Sequence, residues 1–193
     1  MKKQDGFISE KSLLCRFLCC SIFLIFIVVS CFAAEKIYIE KSSIIFGDGD
    51  TFSYTTNIST SPIILRFLGV DTPEVAHLPD GFQTNQYLGQ EASEFTKKQI
   101  LNAKTVSYIP YKSDFYGRTL AYIFVDDELL AVRIIKAGLG YETVSFYKKK
   151  NADQSDEMKV FGELCEKAAD EVGQPNFQNS FFWRQKHRNK NKD

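Results

Sequence analysis

The sequence predicts an α+β protein built on a small Greek-key β-barrel. Three observations carry this: β-rich runs fill the first part of the body, one amphipathic helix interrupts the strands, and helical patterns follow them. The run 36–46 alternates and then turns apolar through Ile37, Ile39, Ile44, Ile45 and Phe46, which is a strand pattern. Gly47-Asp48-Gly49-Asp50 is a turn cluster leading into a short strand at 51–54, and 63–70, rich in Ile, Leu and Phe, is a further strand. Leu88, Ala92, Phe95, Gln99, Ile100 and Ala103 then recur at helical spacing between good helix formers, so 88–103 is an amphipathic helix. Period two returns at 105–109 and again at 119–125, with Asp126-Asp127 as a turn. A short helix is expected over 128–137 with Gly138 as its C-cap, a strand over 140–145, and a last helix over 156–172 stopped by Gly173 and Pro175.

A length of 193 residues suggests one domain with appendages, and 44% hydrophobic with 25% charged residues excludes a disordered chain. The first 33 residues differ from the rest. Lys2, Lys3, Lys11 and Arg16 precede an uncharged apolar run of thirteen residues at 17–29, the pattern of a signal peptide. Val28-Val29-Ser30-Cys31 resembles a bacterial lipobox, in which the Cys is lipidated and becomes the new N-terminus, and a competing cleavage site lies after Ala33. Retention as a membrane anchor is the third outcome, since the run approaches the ~20 apolar residues of a spanning helix only if 31–34 are counted. The expected layout is therefore a leader at 1–33, a domain at 34–175 and an aromatic then basic extension at 176–193. The protein is expected to be secreted or surface-anchored, touching a membrane only through the leader or a lipidated Cys31. Cys165 is the one cysteine beyond that leader, which rules out an internal disulfide in the body.

The formal net charge of +0 hides an asymmetry, because Arg184, Lys186, Arg188, Lys190 and Lys192 crowd the end of the chain while residues 34–183 sum to −6. An acidic body is no general binder of phosphates, so any such binding must come from a local cation cluster or a metal. The basic tail could assist, or it is a solvated terminus.

Three segments are informative together: Asp48-Gly49-Asp50-Thr51; Arg66-Phe67-Leu68-Gly69-Val70-Asp71-Thr72-Pro73-Glu74; and Asp114-Phe115-Tyr116-Gly117-Arg118-Thr119-Leu120-Ala121-Tyr122. They resemble the staphylococcal nuclease (thermonuclease) family, and 90–98 and 136–139 are similar to that family's first and second helices. The resemblance runs over 47–148. It implies a five-stranded OB-fold β-barrel with about three helices, cutting DNA and RNA both endonucleolytically and exonucleolytically to leave 3′-phosphate ends. It also implies Ca2+ on Asp50, Asp71 and the backbone carbonyl of Thr72, Glu74 as the base that activates a water, Arg66 and Arg118 on the transition state, and substrate contacts from Tyr116 and Tyr147. A monomer is expected. Phe115 departs from the pattern, because the family often carries a cation there, and 138–148 is one residue longer than the pattern.

The residue types suit that chemistry. Phosphodiester cleavage needs negative charge neutralised, and a hard cation on oxygen ligands supplies this when two carboxylates are completed by water and substrate. Asp50 begins one strand and Asp71 ends another, so neighbouring strands could bring both to one rim. Taken singly, Asp48-Gly49-Asp50 is a hairpin turn and Asp71 a cap before Pro73. Glu74, past a stiffening proline, can lie near the cation without ligating it, as a general base must; otherwise it is a surface glutamate in a loop. Guanidinium forks contact two phosphate oxygens at once. Arg66 stands in an apolar strand where an unpaired cation is costly, so an anion has to meet it, either substrate or a local carboxylate. Tyr116 and Tyr147 are otherwise packing residues. His77 and His187 are too few and too far apart for a zinc site or a nucleophilic triad, and Cys165 beside Phe161 and Leu164 suits buried packing. A non-catalytic module of the same fold, binding nucleic acid or protein, is the rival; such modules tend to lose the acidic and arginine positions that this chain keeps.

Overall fold

A computed structural model describes residues 35–59, 61–77, 82–147 and 152–188, all within one compact unit that begins at Glu35. The leader, Cys31, Lys190 and Lys192 lie outside the described residues.

Strand β1 (Ile37–Tyr38) is followed by a 3-10 turn, Lys41–Ser43, and then by β2 (Ile44–Phe46), so the single expected strand over 36–46 is two. Long-range pairing divides it: Ile37 stands opposite Tyr108, whereas Ile44 stands opposite Tyr54. Strand β3 (Thr51–Tyr54) continues the hairpin into β4 (Ile63–Phe67), and Gly69 at φ +87° turns the chain into β5 (Val70–Asp71). Helix α1 (Gly89–Asn102) precedes β6 (Val106–Ser113) and β7 (Thr119–Val125). The β6–β7 register shifts between Pro110 and Lys112, as expected beside a residue with no N–H for the ladder.

After β7 the expected helix at 128–137 opens as a two-residue strand, β8 (Glu128–Leu129), before α2 (Leu130–Lys136), and Gly138 at φ +69° ends it. Of the strand expected over 140–145, β9 (Tyr141–Glu142) forms, because its partner β5 is itself two residues long. Helix α3 (Asp156–Val172) has the expected bounds, capped by the Ser155 side chain on the Met158 N–H and stopped at Gly173, φ +77°. Helix α4 (Ser180–Arg188) is additional to the three expected helices.

The main sheet runs β1-β6-β7-β4-β3-β2, with β8 on β7; among the described residues the β4–β7 pair is its one parallel pair. It curls as a half-barrel, the α+β, OB-like arrangement of the expectation. Phe52, Leu65, Val106, Ile123 and Val125 fill its inner face, and α1 and α2 close it with Ile100, Leu130, Ile134 and Ile135. Phe161 of α3 meets the rings of Tyr122 and Phe124 edge-on at 5.4 and 5.1 Å.

Candidate active site

Asp50 sits where the turn between β2 and β3 is nailed to α1. Thr96 Oγ1 donates to the Gly49 carbonyl at 2.5 Å and Ser93 Oγ to the Gly47 carbonyl at 2.9 Å. A Cβ on Gly49 would come within 2.9 Å of Thr72 Oγ1 and 3.0 Å of Ala92, so the turn can lie this close to α1 only as glycine. The Phe67 N–H donates to the Asp50 carbonyl at 2.9 Å, which ties the same turn to the end of β4. Asp50 is therefore fully buried.

Arg66 lies opposite Thr51 in the β3–β4 ladder, and its guanidinium spans two carboxylates. Nη1 donates to Asp50 Oδ1 and Nη2 to Asp71 Oδ1. Asp50 Oδ2 accepts the Thr72 N–H at 2.7 Å. Glu74, two residues on, is 6% exposed, so it is no surface glutamate in a loop. Gln86 fixes its backbone from both sides: the Glu74 N–H donates to Gln86 Oε1 at 3.2 Å, and the Gln86 N–H donates to the Glu74 carbonyl at 2.9 Å.

Arg118 approaches from β7. It precedes Thr119, the partner of Leu65, and lies two residues before Leu120, the partner of Arg66, so it shares a strand face with the position beside Arg66. Its side chain pairs with Asp114 through Nε at 2.8 Å and Nη2 at 2.7 Å, with the guanidinium 5.5 Å from the Tyr116 ring centre. Asp114, whose carboxylate also accepts the Arg118 and Tyr116 N–H groups, thus aims Arg118 from within the turn. Tyr116 is exposed beside it. Tyr147 packs edge-on to Phe146 at 4.8 Å, and Phe146 in turn meets Phe181 of α4. The structure thus brings Asp50, Arg66, Asp71 and Thr72 into direct contact, fixes Glu74 two residues on through Gln86, pairs Arg118 with Asp114 beside Tyr116, and gives Tyr147 to the aromatic cluster under α4.

The sequence places Arg184 in a basic tail, but in the structure it docks against the site. From α4 its Nη1 and Nη2 donate to Asp71 Oδ1 and Oδ2 at 3.0 and 2.9 Å, and Nη1 also reaches Glu74 Oε1. Three buried carboxylates thus face two arginines. Burial pushes the Asp50 carboxyl up to about 6 against the pull of Arg66. It pushes Glu74 up to about 7, aided by the charges of Asp50 and Asp48 and opposed by Arg184. Asp71 is also buried, yet Arg66 and Arg184 together hold it below the ordinary carboxylate range.

The donor set suits a hard cation: two carboxylates and peptide oxygen, beside a buried Thr72 hydroxyl that has no hydrogen-bond partner. Among the described residues, no three His, Cys, Asp or Glu side chains form a metal cage, so water and substrate would have to complete the shell. Asp48, a turn residue by sequence, also accepts the Val75 N–H and pairs with His77 at 2.8 Å, which holds the loop after Glu74.

Residues 64–171 match the family described as staphylococcal nuclease homologue. The chain belongs to that family. The thermonuclease of Staphylococcus hyicus is 39% identical over 85 residues, 44% of this chain and 47% of that protein. The thermonuclease of Staphylococcus intermedius is 38% identical over 93 residues, 48% and 52%. The SPbeta prophage-derived endonuclease YokF of Bacillus subtilis is 30% identical over 114 residues, 58% and 36%. The chain spans about half the length of the two thermonucleases it matches. The family match covers Arg66, Asp71, Thr72, Glu74, Tyr116, Arg118 and Tyr147, while Asp50 and Arg184 lie outside it.

Proposed function

We propose that this chain is a calcium-dependent nuclease that hydrolyses phosphodiester bonds of DNA and RNA. The observation that supports it most is that Arg66 joins Asp50 to Asp71 and Arg184 joins Asp71 to Glu74, with all three carboxylates buried. Relatives named thermonuclease and endonuclease point the same way.

Asp50, Asp71 and the Thr72 carbonyl would hold the calcium ion, which when bound neutralises negative charge on the reacting phosphate. Glu74 accepts a proton from the attacking water at its carboxylate. Burial suits it to that work, since a base that gains its proton near neutral pH is well matched to the task. Arg66 stands on β4 and Arg118 in the turn just before β7, the parallel neighbour of β4, where each would place N–H donors on phosphate oxygens as charge grows there. Exposed Tyr116 offers a ring or hydroxyl to the substrate; Tyr147 serves only if the cluster around Phe146 opens. The leader at 1–33 carries the domain out of the cell, with release after Ala33 or lipidation at Cys31, and the domain acts as a monomer.

Two substitutions separate the roles. Asp71→Ala should lose calcium binding and DNA cleavage together, whereas Glu74→Gln should lose cleavage and keep calcium, both followed by calorimetry and by release of acid-soluble DNA fragments. Parent-like cleavage by Glu74→Gln would remove it as the base. DNA binding without cleavage by the parent protein would leave the non-catalytic module.

A further inference from the structure

Arg184 reaches the site from beyond the family-matched stretch, and its side chain is only 18% exposed. Each carboxylate oxygen offers about two lone-pair positions. Both on Asp71 Oδ1 face N–H donors, from Arg66 and Arg184, and one on Oδ2 faces Arg184. Glu74 Oε1 takes a further donor from the same guanidinium. A calcium ion needs an oxygen lone pair aimed at it from about 2.3–2.6 Å, and a guanidinium beside it in a buried site adds repulsion between like charges that water screens poorly. The cation and Arg184 therefore make rival claims on Asp71.

We propose that Arg184 competes with the divalent cation for Asp71, so that it sets the cation affinity of the site and α4 loosens as the cation binds. This rests on the calcium reading above. The helix is joined mechanically to the same residues. Gln86, which holds the Glu74 backbone, donates through Nε2 to the Gln178 carbonyl just before α4. Trp183, one residue before Arg184, is buried with its ring 4.9 Å from that of Phe82 and stacked on His187 at 3.9 Å. Linkage is reciprocal: whatever Arg184 subtracts from cation affinity, the cation subtracts from the docking of α4.

Calorimetric titration of calcium into the purified parent, Arg184→Lys and Arg184→Gln proteins, with no nucleic acid present, tests this. Affinity should rise in that order, with Arg184→Gln tighter than the parent on the order of tenfold, the middle of the usual range for coupled sites. Lysine keeps the charge but not the two-pronged contact. Trp183 is the sole tryptophan, so its fluorescence reports α4 in the parent itself and should shift with calcium at the calorimetric midpoint. Equal affinities, a reversed order, or a parent whose tryptophan ignores saturating calcium would overturn the proposal. Should Arg184→Gln misfold by circular dichroism, the Arg184→Lys affinity and the parent's fluorescence still decide. A protein that shows the expected order yet leaves DNA intact defeats the nuclease reading alone; one that cuts DNA with affinity indifferent to position 184 defeats this inference alone.

Discussion

Gly89→Ala sets a general property of helices against one contact. Gly89 opens α1, and alanine in place of a helical glycine ordinarily stabilises by roughly 0.5–1 kcal/mol. Here a Cβ would stand 2.2 Å from the Glu74 carbonyl oxygen and 2.9 Å from its carbon, where real Cβ contacts essentially never fall below 3.0 Å. The obstacle is backbone, so no side chain can swing aside. About 0.8 Å must open between α1 and the Glu74 segment, the difference between those two distances. Overpacking of this kind costs about 1–3 kcal/mol, more than the helix gains. Because Glu74 is the residue pushed, turnover should fall by about a hundredfold, the scale for misplacing a catalytic group by an ångström. Urea denaturation and initial rates of DNA hydrolysis read the two effects. A variant that is more stable than the parent and cuts at the parent rate would refute both the close approach of α1 and the positional demand on Glu74.

Arg118→Ala should leave calcium affinity near the parent value while lowering turnover by about a hundredfold or more, the loss expected of one donor to a transition-state charge; calorimetry and initial rates check it. In calcium-free protein, Asp50 and Glu74 are raised from 3.8 and 4.5 to about 6 and about 7. Their contribution to stability is thus present in full below about pH 4 and lost as pH rises through 6 and 7. Asp71 is lowered, so its contribution is lost only below its ordinary value of 3.8, outside that window. The melting temperature should therefore decline between pH 5 and pH 8 in chelator, and saturating calcium should flatten or reverse the decline; a rise in chelator would contradict the burial of these two carboxyls. Cys165 is a free, buried thiol that burial pushes up, so a small alkylating reagent should leave the folded protein unmodified by mass and fully active.

Local pattern carried the elements whose stability is local. The helix over 156–172 is legible to the residue because its apolar face lies within it and its cap Ser155 and terminating Gly173 adjoin its two ends. The strand over 119–125 was equally plain, since β7 pairs with strands on both sides and reads as an apolar run. The break at Lys41–Ser43 was not legible, because β1 answers to β6 and β2 to β3. In the candidate site, Asp50, Arg66, Asp71 and Glu74 could be named from the sequence through the family resemblance of their stretches taken together; singly, they read as a turn, an ion pair, a cap and a surface residue. Arg184 could not. It stands in a run of basic residues that looks like a solvated end, and its partners Asp71 and Glu74 lie 113 and 110 residues away. Trp183 beside it, with Phe177, Phe181 and Phe182, is legible as a docked segment, and it is buried, but that pattern does not say which carboxylates its neighbour would meet.

Single-stranded DNA incubated with the purified protein, first in calcium and then with excess chelator, bears most directly on the claim that Asp50, Asp71, Glu74 and the arginines form a calcium-dependent hydrolytic centre. Fragments should accumulate in calcium, stop accumulating when chelator is added, and resume when calcium is restored. Cleavage that continues undiminished in chelator, or DNA that stays intact at saturating calcium, would contradict it.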